Sequence, residues 1–161
     1  MAYYNERINA LYIHIPKAYG VSIHKALETR GFMRINPSNI MNKKTGTLHS
    51  IVGFFDLKKA YIFTFMRKPS SRFISGLHFM NKNSDFIKDH DLIHKMNVSE
   101  YWHIMMPQYK HISLDEKVFE YINFIGSCEH FERDWGILSK ILEKKGLSPL
   151  PPIGHHNKGK T

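Results

Sequence analysis

The chain has 161 residues, 42% of them hydrophobic and 23% charged, and a single cysteine, Cys128. That allows one domain, residues 1–161, with a sizeable core, and it excludes an intrachain disulfide framework. The net charge of +9, with 11 histidines in reserve, favours anionic partners such as nucleotides, nucleic acid or acidic glycans.

No apolar run approaches the roughly 20 residues of a membrane span. The opening "MAYYNERINALYIHIPK" lacks the basic-then-apolar order of a secretory leader. One free thiol suits a reducing compartment, so a cytoplasmic location is the expectation.

In chain order, "LYIHI" (11–15) reads as a buried strand. Residues 21–30 read as a helix, with Ile23, Ala26 and Leu27 at i, i+3, i+4 and Gly31 as its stop. Residues 47–57 predict a short helix bearing His49. "AYIFTFM" (60–66) is the clearest strand, aromatic and β-branched. After Pro69 the chain turns helical, with Phe73, Leu77 and Met80 assigned to one face. Residues 84–106 predict two short helices, and "YINFIG" (121–126) a third strand. A helix over 130–146 follows, with Phe131, Trp135, Leu138 and Leu142 on one stripe and Gly146 as its stop. Residues 154–161 read as a basic tail loop. Strands alternating with helices predict an α/β fold, a small parallel sheet flanked by helices, with ligands at the carboxyl ends of the strands.

Two junctions stand at such ends. In "PKAYGVS" (16–22) a loop enters a helix, where unpaired N–H groups and the positive end of the dipole favour an anion. Gly20 permits close approach, Ser22 offers a hydroxyl, and Lys17 a mobile charge, although a solvated lysine beside a turn glycine explains the same stretch. In "FTFMRKPSSRFISG" (63–76), Arg67 follows the second strand and Ser75 lies on the next helix, so the two could share a second phosphate or, by themselves, be a surface arginine and a neutral helix serine. The last eight residues, "GHHNKGKT", match the letters of a Walker A motif, but no strand precedes them and no helix follows, so the match is rejected. His90 and His94 are spaced i, i+4 without a third ligand, which reads as a solvated helix face rather than a metal site. His49, a lone polar residue in an apolar stretch, reads by itself as a structural histidine.

Taken in order, these pieces resemble the sulfotransferases that use 3′-phosphoadenosine 5′-phosphosulfate (PAPS), particularly the carbohydrate type. "PKAYGVS" matches that family's "PKTAGTS", and His49-Ser50 its "HxSA". "FTFMRKPSSRFISGLHF" (63–79) matches "FxFVRNPxxRxxSxxxF", and Pro107-Gln108 a "PQ" step. "IGSCEHFERDW" (125–135) matches "IGRFENLxxDF", and "LPPIGHHNKGK" a "lphxNKS" loop. This chain lacks the family's hydroxyls at Ala18 and Val21, places bulky Tyr19 where the family has a small residue, and has Lys68 where Asn is common. It also stops before the family's tyrosine-rich extension.

The resemblance implies a P-loop-NTPase-like sulfotransferase fold and transfer of a sulfuryl group from PAPS to a hydroxyl, most simply of a carbohydrate, leaving 3′-phosphoadenosine 5′-phosphate (PAP). It implies that Lys17 contacts the 5′-phosphosulfate and that Ala18, Tyr19, Gly20, Val21 and Ser22 cradle it. It gives the 3′-phosphate to Arg67 and Ser75, the role of general base to His49, and a covering role to Lys158, Gly159 and Lys160. No metal, no nucleic acid and no transmembrane segment belong to this scheme. A non-catalytic binder of nucleotides or polyanions on the same fold is the alternative, and a nucleotide kinase a third reading that rests mainly on the Walker-like tail.

Overall fold

The computed structural model describes residues 1–35, 47–51, 53, 55–83, 104, 106–114 and 117–153, without the side chains of residues 49, 50, 81–83 and 118. A five-stranded sheet organises it, in the order β3-β1-β2-β4-β7. Its three parallel members are β2 (Ala10–Ile13), β4 (Tyr61–Met66) and β7 (Phe124–Ser127). The other two, β1 (Ala2–Asn5) and β3 (Met33–Ile35), run antiparallel to their neighbours. The sheet is therefore mixed: the three expected strands are parallel, and the expectation of a parallel sheet is corrected at β1 and β3.

The correction comes from residues 1–10. Ala2–Asn5 folds back on Ala10–Ile13 through a four-residue turn, in the register Tyr3↔Tyr12 and Tyr4↔Leu11. Asn9 adopts a left-handed φ of 49° there, and its side chain accepts from the Tyr4 hydroxyl at 3.0 Å. Asn5 is buried, and its side-chain oxygen accepts from the Ile8 N–H at 3.3 Å. A strand buried on both faces shows no alternation, so nothing periodic marks it.

Helix α1 (Gly20–Glu28) links β2 to β3 and ends at Gly31, whose φ of 82° only glycine adopts at no cost. The Phe32 N–H reaches back to the Leu27 carbonyl (3.2 Å), which closes the helix end. Helix α2 (Thr47–Ile51) is shorter than the predicted 47–57. Helix α3 (Pro69–Asn83) starts where proline allows it. Its buried stripe is Arg72, Gly76 and Met80, while Phe73 is 45% exposed, so the predicted apolar face is rotated by about one residue. The predicted helices over 84–106 lie outside the described residues apart from Ile104 and Met106. Helix α4 (Gln108–Ile112) follows, then a small hairpin of β5 (Ser113–Leu114) and β6 (Lys117–Val118).

The third predicted strand begins later than expected. Phe119 adopts a φ of 67°, and the Ile122 N–H bonds the Phe119 carbonyl (3.1 Å), so Tyr121 and Ile122 belong to a turn. Helix α5 (Phe131–Lys144) agrees with the prediction. Phe131, Trp135, Leu138 and Leu142 are all buried, and Gly146 (φ 99°) ends it.

The central strands are almost wholly buried. One sheet face carries Tyr12, Phe63 and Phe65. Helix α5 covers it through Phe131 and Trp135, whose rings lie 5.1 and 6.0 Å from Phe65. On the opposite face the Tyr4 ring meets Phe55 at 4.6 Å. Cys128 is free and buried, and burial pushes its thiol up to about 12, so it is no nucleophile at neutral pH. Among the described residues no helix is long and apolar enough to cross a membrane.

Candidate anion-binding site

Because β2, β4 and β7 are parallel, their carboxyl ends open on one edge, and three segments emerge side by side: 14–19, 67–68 and 127–130. The first is the most contorted. Lys17 (φ 67°) and Tyr19 (φ 57°, ψ 16°) are both left-handed without being glycine. Such residues cost on the order of 1–3 kcal/mol each and persist only where their surroundings hold them. Left-handed turns on either side of Ala18 curl the backbone, the kind of geometry that gathers N–H groups around an anion.

Tyr19 is the N-cap of α1, and no side chain caps this end. The first intrahelical bond runs from the Ile23 N–H to the Tyr19 carbonyl (3.1 Å), so the N–H groups of Gly20, Val21 and Ser22 precede the helical ladder. Ala18 behaves otherwise. It is fully buried and its N–H points at the Ile15 carbonyl (3.3 Å), so its amide is turned inward. Gly20 is required by contact rather than by torsion: a methyl group there would collide with the buried His14 ring. Val21 is half exposed, Ser22 half-buried.

Arg67 joins the second segment to this loop. Its Nη1 donates to the Lys17 carbonyl at a long 3.4 Å, and its guanidinium lies 5.6 Å from the centre of the Tyr19 ring. The edge of that ring meets Phe131 at 5.5 Å. Tyr19 is thus a shelf between Arg67 and the core. The Lys17 ammonium lies 4.6 Å from the centre of the Phe79 ring on α3. Helical geometry then places Ser75. Residues 72, 75 and 79 share one side of α3. Arg72 bonds the Pro16 carbonyl and Phe79 meets Lys17, so the half-buried Ser75 lies on the face turned toward the same loop.

Several supporting residues were not assigned from sequence. Gln108 grips the Arg67 backbone at both ends: its Oε1 accepts from the Arg67 N–H (2.9 Å), and its Nε2 donates to the Arg67 carbonyl (2.7 Å). Glu129 accepts from the Lys68 N–H at 2.7 Å. Burial alone would raise its pKa, but the Lys68 and Ser127 hydrogen bonds and the Arg67 charge outweigh this and hold it below the usual carboxylate range. Asp134 fixes the end of β7 by accepting from the Ser127 N–H (2.7 Å), and the Arg133 hydrogen bond (2.8 Å) holds its pKa low.

His49 lies on α2, whose Thr47 hydroxyl meets His111 Nδ1 of α4 at 3.2 Å. That contact ties the helix bearing His49 to the helix bearing Gln108. Beside Arg72 and Gln108 opens a pocket of about 370 Å³, flanked by the exposed rings of Phe73 and Tyr109.

Lys17, Tyr19, Gly20, Val21, Ser22, Arg67 and Ser75 are thus gathered at one edge of the sheet. The expectations for Lys158, Gly159 and Lys160, and for the pair His90 and His94, lie outside the described residues. Among the described residues no three His, Cys, Asp or Glu are placed to hold a metal. No protein-family model matches the chain, and neither does any curated protein or solved structure.

Proposed function

We propose that the chain binds PAPS across the carboxyl ends of β2 and β4 and transfers its sulfuryl group to a hydroxyl, most simply that of a sugar. The observation that carries this reading is the convergence of two separate cationic positions on one strained loop. Lys17 lies within that loop, Arg67 reaches its carbonyl and its tyrosine, and Ser75 faces it from α3. A ligand with phosphate groups at two ends suits two cationic positions better than a single anion does.

In this reading Lys17 and the N–H groups of Gly20, Val21 and Ser22 take the 5′-phosphosulfate. Arg67 and Ser75 take the 3′-phosphate, and Lys158, Gly159 and Lys160 close over the donor. Transfer breaks the bond from sulfur to the bridging phosphate oxygen and forms a bond from sulfur to the acceptor oxygen. The electron pair left on the phosphate is offset by the Lys17 charge, and the acceptor proton passes to a base, the role proposed for His49. The exposed Phe73 and Tyr109 rings offer flat surfaces on which an acceptor could lie.

A thermal-shift panel of PAPS, PAP, ATP and heparin tests the reading. A ligand at 100 times its Kd adds about 2.7 kcal/mol. For a chain of this size that raises Tm by roughly 5–10 °C. Stabilisation by PAP and PAPS is the expected result. Stabilisation by heparin alone refutes it in favour of a polyanion binder. Labelled PAPS with a series of sugars then finds the acceptor, and on that acceptor His49→Ala should slow transfer by about 10²- to 10⁴-fold while leaving PAP affinity unchanged.

A further inference from the structure

We infer that Arg72 and Gln108 are positioning residues, each setting one half of the anion site from behind without touching the anion. Arg72 holds the loop that carries Lys17, and Gln108 holds Arg67. The inference rests on the proposed reading of this edge as a PAP-binding site.

Arg72 is 7% exposed, and all three of its nitrogens donate to backbone carbonyls. Nε bonds Pro16 at 2.9 Å, Nη1 bonds Met106 at 2.9 Å and Nη2 bonds Ile104 at 2.7 Å. Among the described residues no carboxylate faces it. Burying a guanidinium against carbonyls alone is an expensive way to hold a fold together, because an apolar side chain of similar volume would often stabilise as much or more. Desolvation lowers its pKa to about 10, which leaves it charged at neutral pH.

What Arg72 gains is geometry. Among the described residues no cis peptide is present, and a trans peptide is planar, with its carbonyl and N–H pointing in opposite directions. Fixing the Pro16 carbonyl on Arg72 therefore aims the Lys17 N–H the other way and sets the start of the left-handed turn at Lys17.

Gln108 lies in the same stretch of chain as Ile104 and Met106, and its two hydrogen bonds fix the Arg67 peptide groups on either side of that residue's Cα. Ile104, Met106 and Gln108 are thus tied to both loops at once: by Arg72 to the loop after β2, and by Gln108 to the loop after β4. Neither side chain needs to contact a ligand for its loss to be felt there. A displacement of about 1 Å in a positioning element can cost on the order of a hundredfold.

The two halves can be told apart with three probes: PAP, adenosine 5′-monophosphate and adenosine 3′-monophosphate. Affinities are measured by calorimetry at a temperature where every variant is folded. Arg72→Lys keeps the charge but cannot reproduce three directed bonds. It should weaken PAP and the 5′-monophosphate by about tenfold or more and leave the 3′-monophosphate within twofold. Gln108→Ala should show the reverse pattern, weakening PAP and the 3′-monophosphate and sparing the 5′-monophosphate. A merely structural role lowers Tm without producing this crossed selectivity. If Arg72→Lys fails to fold, the Gln108→Ala half of the pattern decides alone. Losses that ignore which phosphate is present, or no losses at all, overturn the inference and leave the binding reading intact. Failure of the wild-type chain to bind PAP overturns both.

Discussion

Replacing Gly20 by alanine probes the most crowded point of the site. The three atoms nearest a Cβ built there all belong to the His14 imidazole, at distances no real contact allows. His14 is 7% exposed, with the Tyr12 and His24 rings 6.4 and 6.5 Å away, so it cannot simply swing into solvent. Overpacking of this kind costs about 1–3 kcal/mol. Alanine's better helix propensity returns at most about 1 kcal/mol, less at a first-turn position. The net loss should be about 1–2 kcal/mol, a fall in Tm of roughly 2–8 °C for a chain of this length. Urea denaturation gives the free energy directly, and a second variant isolates its cause. In a His14→Ala background the ring is gone, so Gly20→Ala should become neutral or slightly stabilising, a coupling of at least about 1 kcal/mol between the two sites. An equal penalty in both backgrounds would refute the collision as the reason for glycine here.

Arg67→Ala should cost PAP about 1.5–3 kcal/mol of affinity, the usual worth of a hydrogen bond to a charged group, and should barely change the affinity for adenosine 5′-monophosphate. Calorimetry with both ligands checks this, and equal losses would remove Arg67 from the 3′-phosphate. Asp134→Asn keeps an acceptor for the Ser127 N–H but loses the charge that Arg133 favours, so the variant should be about 1 kcal/mol less stable at pH 7. The folded pKa of Asp134 is depressed, so the charge contributes fully above the unfolded value near 4 and fades as pH falls through the lower folded one. The gap between wild type and variant, read from urea midpoints, should therefore close below about pH 4.

The parts of the fold that could be read from sequence are those whose signal is local. The stripe Phe131, Trp135, Leu138 and Leu142 with Gly146 behind it is a complete helix statement within sixteen residues, and the structure agrees with it. The aromatic run 60–66 needs no partner to announce a central strand. By contrast, β1 and β3 exist only because Ala2–Asn5 finds Ala10–Ile13 on one side and Met33–Ile35 on the other, and four residues buried on both faces carry no period. The late start of β7 has the same character. It depends on the left-handed turn at Phe119 and on Asn123, which bonds Ile62 through both its backbone N–H and its side-chain oxygen, at 2.7 Å each.

The candidate site divides along the same line. Lys17, Gly20, Ser22 and Arg67 were legible because a cation, a glycine or a hydroxyl at a strand end has a meaning of its own. Arg72, Gln108 and Glu129 were not, because each bonds backbone atoms far away in the sequence, and a carbonyl or an N–H has no residue identity to match. One trace of Arg72 does exist in the sequence. It stands on the same helical stripe as Gly76 and Met80, the stripe that turns out to be buried. A charge on the buried side of an amphipathic helix must find partners there, since leaving it unpaired costs several kcal/mol. When no carboxylate lies at a suitable spacing, those partners are carbonyls, and the carbonyls free to accept are found where the chain leaves its regular ladder. A buried arginine on a helix that follows a strand end therefore points to the irregular loops at that edge, which is also where an α/β sheet builds its ligand site.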